Sequence, residues 1–362
     1  MVDLRAQAEK YVSWWNRENA SPLVNSYYPK DLPFGGLDVD VPVDELAARA
    51  LANAEALHHA PVPQDSLITA RVNFGTVLYP AVAGAEAKFE ANTSWAVHTA
   101  DSIDEVKILP FDPGHSIYRA YLMRLEVLLE QWSWDTYLPV PSDYAGPFDI
   151  LSAFMGPENL MVEMMSEPDA VRAAADAAAQ FTIDVIRFEK ELFRSAGFRE
   201  WSPTLFGSWQ PGWAGLFVED FSALVGPHHY RDLMLEPHRR ILEEFDTALF
   251  HTHSAGCKNN LEMLALPESV AFEFGNDPGG PDTEQRLETA RAIMGDGRPL
   301  MLGSWSIPLP DEDMNRIVDT LPAEGLDLHF QCTSAEQADV LYRQIKSGER
   351  IVGKDARVAK SE

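Results

Sequence analysis

The chain has 362 residues, with 29 basic and 56 acidic side chains, so its formal net charge at pH 7 is −27. This acidity excludes a nucleic-acid binder that neutralises phosphates, and it disfavours attachment to an anionic membrane surface. Two cysteines are too few for a disulfide framework, and no apolar run reaches the length of about 18 residues that predicts a membrane span. Because the first residues also lack the pattern of a secretory signal, we expect a cytoplasmic protein.

Residues 1–65 are predicted to form an N-terminal extension of helices and loops. Helical patterns cover 3–18 and 43–58, and prolines and glycines are concentrated in 20–42. Residues 66–350 alternate short apolar runs with longer helical patterns, which cover 157–195, 227–246, 283–295, 311–320 and 334–347. Residues 351–362 are predicted to be a frayed polar tail.

The apolar runs predict the strands of a parallel sheet. They lie at Leu67–Asn73, Tyr137–Asp143, Glu200–Phe206, Leu216–Asp220, Thr247–His253, Ser269–Asn276, Pro299–Trp305 and Leu326–Cys332. Strands that alternate with helices of this length indicate parallel pairing through helical crossovers. The number of units favours a closed (β/α)8 TIM barrel of the α/β class over an open sheet, with the N-terminal extension packed on the barrel.

The carboxyl ends of these predicted strands carry polar side chains, and in such a barrel the chemistry lies at these ends. The residues are Asn73, Asp143, Asp220, His251, His253, Glu273, Asn276, Ser304, Trp305, Gln331 and Cys332. Polar residues also begin ordinary loops, so each position alone has a plain structural explanation. As a set they favour metal binding or proton transfer, and we predict substrate contacts for Asn73, Asn276 and Gln331.

The segment FHTHSAGC at residues 250–257 is the sharpest local feature. Residues two apart on a strand point to the same face, so His251 and His253 are able to reach one metal ion. Imidazole suits zinc, iron, copper and nickel. Alternatively, one histidine binds substrate while the other satisfies a loop.

Glu273 lies in an alternating run in which Val270, Phe272 and Phe274 form the bulky face. That alternation places Glu273 on the small-residue face, toward the barrel interior, where an unpaired carboxylate is costly. A metal, a cationic substrate group or a role in proton transfer would explain it, and so would an ion pair with a barrel lysine or arginine.

Cys332 closes the last predicted strand, and its thiolate is able to complete a zinc site with the two histidines. The alternation opposes this prediction, because Cys332 shares its face with Leu328 and Phe330, which are expected to face the helices. Cys332 reaches the interior only if the chain has already turned out of the strand. Cys257, in the loop after the histidine pair, is predicted to be incidental.

Two further observations limit the chemistry. Trp209 and Trp305 are predicted to form an apolar wall for a flat or methylated ligand, although ordinary core packing explains each equally well. The chain has no glycine-rich phosphate loop, no Walker pattern and no GxSxG elbow, which disfavours a nucleotide-fuelled enzyme and an α/β-hydrolase.

Several segments resemble the uroporphyrinogen decarboxylase superfamily, over roughly residues 65–350. DYAGP at 143–147 is similar to its D-x-x-G-P segment, and GPENL at 156–160 with EPDAV at 167–171 is similar to its G-x-E-N-L and the following helix start. DFSALVGP at 220–227 is similar to its D-x-x-S-x-x-x-S-P loop. The resemblance implies a TIM barrel that acts on a small molecule, and it implies a homodimer.

The chain departs from true uroporphyrinogen decarboxylases and is closer to the cobalamin-dependent methyltransferases of that superfamily. It has no R-Q-A-G-R-Y stretch, and VNFGTVL at 72–78 lacks the acid of the family's F-x-D-I-L segment. In the methyltransferase branch, zinc is bound by H-x-C and a later cysteine and holds a thiol as thiolate. The resemblance therefore implies zinc at His251, His253 and Cys332, with His253 in place of the first cysteine, and a corrinoid on a partner protein.

Three hypotheses follow. The first is a zinc-dependent methyltransferase that works with a corrinoid protein or a methylated small molecule, with Asp143, Asp220, His253 and Glu273 as catalytic residues. The second is a metal-free decarboxylase or lyase for a small carboxylated substrate, in which Asp143, Asp220 and His253 move protons. The third is a non-catalytic barrel that binds a ligand.

Overall fold

The computed structural model describes residues 2–27, 36–60, 64–303 and 309–351. The predicted tail beyond 351 and Trp305 lie outside the described residues. The α-helices are α1 (Leu4–Trp15), α2 (Val43–His58), α3 (Leu78–Val82), α4 (Ser116–Gln131), α5 (Pro147–Met155), α6 (Pro157–Ser166), α7 (Pro168–Ser195), α8 (Pro227–His229), α9 (Leu235–Leu242), α10 (Asn260–Met263), α11 (Thr283–Gly295), α12 (Asp311–Thr320) and α13 (Ala335–Ser347). None of the helices in these ranges is long and apolar enough to cross a membrane.

Parallel strands dominate the sheet structure. The strands are β1 (Leu23–Tyr27), β2 (Thr69–Ala70), β3 (Glu86–Phe89), β4 (Ser94–Val97), β5 (Leu138–Pro139), β6 (Tyr144–Ala145), β7 (Trp201–Pro203), β8 (Trp209–Pro211), β9 (Ala214–Val218), β10 (Thr247–His251), β11 (Val270–Phe274), β12 (Leu300–Gly303) and β13 (Leu326–Gln331). Seven strands form one parallel sheet in the order β1-β13-β12-β11-β10-β9-β6, and β2 and β5 form a separate parallel pair. The predicted α/β class is therefore confirmed.

Helices cross over between consecutive strands from β9 to β13, so the carboxyl ends of these strands lie at one edge of the sheet. Most of their residues are apolar, and β9, β11 and β12 are buried along their full length. This pattern is the one expected of parallel strands that are covered on both faces.

The N-terminal segment contributes a strand of the main sheet, which its proline and glycine content did not predict. β1 pairs in parallel with β13, in the register Asn25 with His329. The buried Asp65 carboxylate accepts a hydrogen bond from Val24 N (2.9 Å) and contacts Lys10 Nζ and Lys346 Nζ (2.7 Å each). Asp65 thereby ties the N-terminal helix, β1 and the last helix together.

The predicted strand at 200–206 forms a separate antiparallel hairpin, β7–β8, and does not join the main sheet. Gly207 lies at the turn with φ +75°, in the left-handed region that glycine adopts without strain. Thr204 N donates to Ser208 O (3.0 Å) across the same turn. The turn therefore reverses the chain, and β7 pairs with β8 and not with a strand of the main sheet.

A buried carboxylate joins three helices to the sheet. Glu189 of α7 accepts hydrogen bonds from the hydroxyls of Tyr144 (2.7 Å), Tyr118 (2.9 Å) and Tyr79 (3.2 Å). Burial raises the pKa of Glu189 to about 7, although the three hydroxyl donors oppose the rise. The cluster fixes α3, α4 and α7 against β6, directly beside the segment that carries Asp143.

Candidate metal centre and adjoining cavity

Three side chains that could hold a metal ion come together at the carboxyl ends of two neighbouring strands. His251 is the last residue of β10, His253 follows two positions later, and Asp220 begins a short 3-10 helix just after β9. Because β9 and β10 pair in parallel, their ends bring these residues together. One ligand atom from each residue lies within 4.8 Å of the other two, and no other such group occurs in the part of the chain that the structure describes.

Both imidazoles present the same nitrogen to the same carboxylate oxygen. Asp220 Oδ1 lies 3.4 Å from His253 Nε2 and 3.7 Å from His251 Nε2. The Asp220 side chain is 41% exposed, although this oxygen itself is shielded from solvent between the two rings. The opposite nitrogen of each ring contacts a second carboxylate: His251 Nδ1 forms a hydrogen bond with Glu273, and His253 Nδ1 lies 3.2 Å from Asp277 Oδ1.

The two outer carboxylates are fixed by the sheet and its following loop. Glu273 is fully buried on β11, where it pairs in register with His251. Asp277, four residues later, accepts a hydrogen bond from Ser254 N (2.6 Å). Histidines that bind metals commonly bond a carboxylate through the other ring nitrogen, which fixes the ring orientation.

Charge interactions within the group shift its pKa values. The carboxylates of Asp220 and Asp277 raise the pKa of His253 to about 10. Burial alone would lower the pKa of His251, but Glu273 outweighs it and raises the value. Burial would raise the pKa of Asp220, yet the two histidines hold it below its ordinary value. The group therefore attracts positive charge at its centre, as a proton or as a metal cation.

The chemistry of the three ligand atoms, and the distance from each histidine nitrogen to the carboxylate oxygen, suit a divalent metal. Tetrahedral zinc with bonds of about 2.0–2.1 Å separates its ligand atoms by roughly 3.3 Å. The observed separations of 3.4 and 3.7 Å from Asp220 Oδ1 are close to that value. Two imidazoles and a carboxylate also form the ligand set of non-haem ferrous iron, so the residues fit zinc and iron alike.

Asp149, in the first turn of α5, holds the backbone that carries Asp220. Its two carboxylate oxygens accept hydrogen bonds from Asp220 N (2.8 Å) and Phe221 N (2.9 Å). Burial raises the pKa of Asp149 well above its ordinary value, and the neighbouring Glu219 and Asp220 raise it further. The carboxylate of Asp149 thus sets the position at which the 3-10 helix starts.

Glu219, which precedes Asp220, in turn holds the start of α5, the helix that carries Asp149. Its fully buried carboxylate accepts hydrogen bonds from Asp149 N (2.8 Å) and Phe148 N (3.2 Å) at the start of that helix. His238 Nε2 lies 2.9 Å from the same carboxylate. Burial raises the pKa of Glu219 to about 8 and lowers that of His238 to about 3, so both groups favour their uncharged forms. The two chain segments that lead into the site are therefore fixed to one another.

A cavity of about 200 Å³ adjoins the group. Its described polar lining consists of Thr76, His98, Asp143, Asp149, Ser152 and Asp220, and its remaining lining residues are small and apolar. Asp220 therefore belongs both to the candidate metal centre and to the cavity wall. A molecule in this cavity would lie directly beside the possible metal position.

Four of the residues predicted to contact substrate are described in the structure, and none of these four lines this cavity. Asn73 accepts a hydrogen bond from Gly75 N (3.1 Å), and Gln331 ends β13 opposite Tyr27. Asn276 lies in the loop after β11. Trp209 packs in the core against Trp134, with ring centroids 5.3 Å apart, because the β7–β8 hairpin carries it away from the strand ends.

Cys332 is not part of the group that contains the two histidines. It is 6% exposed, and burial raises the pKa of its thiol to about 11. The structure places Asp220 where the sequence-based ligand set placed Cys332. β13 ends at Gln331, and Cys332 lies one residue beyond it, where its thiol is beside Ser26 of β1.

Sequence reasoning missed several residues of the site, among them Asp149, Asp277 and His98. Asp149 follows the Gly-Pro pair at the start of α5. The sequence signal that could have identified it is an acidic residue in the first turn of a helix that follows a strand. Asp277 lies just past the predicted end of the strand at Asn276. His98 follows β4 of the β3–β4 hairpin, whose short strands gave no recognisable pattern.

No family model and no curated protein matches the chain. Among solved structures, it is similar to a methyltransferase from Methanosarcina mazei, with a TM-score of 0.61 and 11% sequence identity. The similarity covers 94% of this chain and 98% of that chain. At this identity, the likeness shows that the two chains share a fold over nearly their whole lengths.

Proposed function

We propose that this protein is a metal-dependent methyltransferase related to the uroporphyrinogen decarboxylase superfamily. The observation that carries the proposal is the arrangement of His251 and His253, which both direct Nε2 toward Asp220 while a second carboxylate lies at each Nδ1. The shared fold with a methyltransferase structure supports the same reaction class.

We further propose that the strands close into a (β/α)8 barrel. Asp65 N donates to Val24 O (3.0 Å), which links β1 to the segment before β2. At the other edge, β5 and β6 follow one another within a few residues, and β5 pairs with β2. If β5 and β6 count as one bent strand, the parallel strands number eight, and the β2–β5 pair bridges the two edges of the seven-stranded sheet.

In the proposed centre, His251, His253 and Asp220 hold a zinc ion. Zinc supplies Lewis acidity, which keeps a thiol substrate in its nucleophilic thiolate form. Asp220 replaces Cys332 of the ligand set implied by the family resemblance, so the ligands are two neutral imidazoles and one carboxylate. Glu273 and Asp277 orient the imidazoles and increase their basicity.

The proposed reaction moves a methyl group from a corrinoid on a partner protein, or from a methylated small molecule, to a thiol. The thiol sulfur forms a bond to the methyl carbon, and the bond between that carbon and the donor breaks with its electron pair remaining on the donor. The thiol proton is lost to water. The cavity beside Asp220 holds the body of the thiol and limits the access of water to the reacting atoms.

The experiment measures demethylation of methylcobalamin by a simple thiol, followed by the colour change of the corrinoid, with zinc-loaded and metal-free protein. We expect metal-dependent turnover that His253→Ala abolishes. His228→Ala, an exposed histidine on α8, is the matched control and retains full activity. Equal rates with and without metal would contradict the proposal, and decarboxylation by metal-free protein would favour a lyase instead.

A further inference from the structure

His238 is a fully buried histidine on α9 that lies outside the candidate metal centre. Its ring packs against Phe217 of β9 and Phe250 of β10, with centroid distances of 5.2 and 5.7 Å. These are the two strands that lead to the site, since β9 is followed by Asp220 and β10 ends at His251. An apolar side chain would fill the same position without the cost of burying a polar ring, so packing alone does not explain a histidine here.

Both ring nitrogens of His238 have a partner. Nε2 lies 2.9 Å from Glu219 Oε2, and Nδ1 lies 3.0 Å from the hydroxyl of Tyr230. Glu219 and Tyr230 are themselves fully buried, so bulk water does not compete for these contacts. Because the imidazole is held at both nitrogens, its orientation is fixed, and it holds the Glu219 carboxylate from the side of α9.

A π-helical turn, Tyr230–Met234, aligns Tyr230 with His238. An α-helix turns by about 100° per residue, so side chains eight residues apart point in directions about 80° apart. A π-helical turn accommodates one extra residue, which removes about 100° from that rotation and leaves the two side chains within about 20° of one another. Such turns are frequent at functional sites. The chain therefore interrupts a regular helix at the place where the interruption creates the contact between Tyr230 and His238.

Glu219 connects His238 to the candidate ligand Asp220. Glu219 directly precedes Asp220, and its carboxylate accepts hydrogen bonds from Phe148 N (3.2 Å) and Asp149 N (2.8 Å). The carboxylate of Asp149 in turn accepts a hydrogen bond from Asp220 N (2.8 Å). A displacement of Glu219 would therefore move Asp220 by two routes, directly along the backbone and through Asp149.

We propose that His238 is a positioning residue for the metal centre and acts on Asp220 through Glu219. The inference rests on the proposed function, since it requires Asp220 to be a metal ligand, but it does not depend on which group is transferred. His238 is neither a candidate ligand nor part of the lining of the adjoining cavity. Its loss therefore alters the geometry and the affinity of the metal site without removing a ligand.

The test uses cobalt(II) in place of zinc. The filled d shell of zinc gives no visible spectrum, whereas the visible absorption of cobalt(II) changes with the number and arrangement of its ligands. His238→Leu keeps a side chain of similar volume and removes both polar contacts. We expect the cobalt dissociation constant, measured against a competing chelator, to rise about tenfold and the visible bands to change.

His238→Gln is the conservative variant. The glutamine amide offers both a donor and an acceptor, so it is able to pair with Glu219 whichever of the two partners carries the proton. We expect His238→Gln to restore most of the cobalt affinity and the spectrum of the wild type. A purely structural role of the imidazole ring would not be rescued in this way.

His58→Leu is the matched control. His58, on α2, is also buried, and its Nε2 lies 2.9 Å from Thr136 O. We expect His58→Leu to lower the melting temperature of the metal-free protein but to leave the cobalt affinity and spectrum unchanged. The comparison separates a general loss of stability from a change at the metal site.

Three results overturn the proposal: a folded His238→Leu with the affinity and spectrum of wild type, an equal effect of His58→Leu on both, or a failure of His238→Gln to restore binding. If His238→Leu does not fold, Tyr230→Phe decides, because it removes only the hydroxyl that holds Nδ1. We expect the cobalt dissociation constant of Tyr230→Phe to rise about threefold, and wild-type affinity in this variant overturns the proposal.

The failures of this proposal and of the proposed function are distinguishable. If His238→Leu shows the expected changes but wild type does not demethylate methylcobalamin, the positioning residue is supported and methyl transfer is contradicted. If methyl transfer depends on the metal and the metal site of folded His238→Leu is unchanged, methyl transfer is supported and the positioning residue is contradicted. A wild-type protein that binds neither cobalt nor zinc overturns both.

Discussion

The substitution Asp149→Asn tests how the fold positions Asp220. The native carboxylate accepts one hydrogen bond at each oxygen, from Asp220 N (2.8 Å) and Phe221 N (2.9 Å). Asparagine keeps the shape of the side chain but has one oxygen, so its amide group must face one of the two backbone donors. One buried N–H is then left without an acceptor.

An unsatisfied buried donor costs about 1–3 kcal/mol, and we expect the free energy of unfolding to fall by that amount. The metal dissociation constant should rise about tenfold or more, because the start of the 3-10 helix that carries Asp220 loses its anchor. Urea denaturation measures the first effect, and a zinc titration against a competing chelator measures the second.

Asp169→Asn is the matched control. Asp169 also lies in the first turn of a helix that begins with proline, but its side chain is 95% exposed and pairs only with Arg172 among the described residues. We expect a change within about 0.5 kcal/mol and no change in metal affinity. If Asp149→Asn matches wild type in both measurements, the argument that Asp149 positions Asp220 is refuted.

Two further substitutions test the fold around the site. Gly146→Ala would direct a methyl group into the Glu219 carboxylate, and we expect it to lower the free energy of unfolding by about 1–3 kcal/mol in urea denaturation. Gly226→Ala is the control, because no atom lies within 4 Å of the added methyl group, and we expect little change in the free energy of unfolding. Burial alone would raise the pKa of Asp65, but the two lysines hold it below its ordinary value. The ion pairs of Asp65 therefore stabilise the folded state at any pH above the pKa of aspartate in the unfolded chain, about 3.9. Asp65→Asn should lower the free energy of unfolding by about 2–4 kcal/mol at pH 7, and this difference from wild type should shrink as the pH falls below about 4. A difference that stays constant with pH would contradict the stabilising role of the ion pairs.

The sequence predicted those parts of the site that depend on alternation along a strand. The two-residue period of strands pointed to His251 at the end of β10, to His253 two residues beyond it and to Glu273 on β11, and in the structure Glu273 contacts His251. The succession of βα units from residue 214 onward was also visible, because long helical patterns separate the apolar runs.

The remaining parts depend on contacts between distant segments. Asp149, 71 residues earlier, accepts a hydrogen bond from the backbone N–H of Asp220 and so helps to hold Asp220 opposite the histidines. β1 is a short strand in a segment rich in proline and glycine, and its partner β13 lies at the other end of the chain. Trp209 was predicted to lie beside the substrate, but it packs in the core after the turn at Gly207. Apolar patterning does not reveal such a turn.

The most direct test of the account is the metal affinity of four proteins, measured by zinc titration against a competing chelator: wild type, His253→Ala, Asp220→Ala and Cys332→Ser. We predict one zinc ion per wild-type chain, loss of binding in His253→Ala and Asp220→Ala, and unchanged binding in Cys332→Ser. A wild-type protein that binds no zinc and no ferrous iron, or a Cys332→Ser variant that loses the metal while Asp220→Ala retains it, would contradict the account.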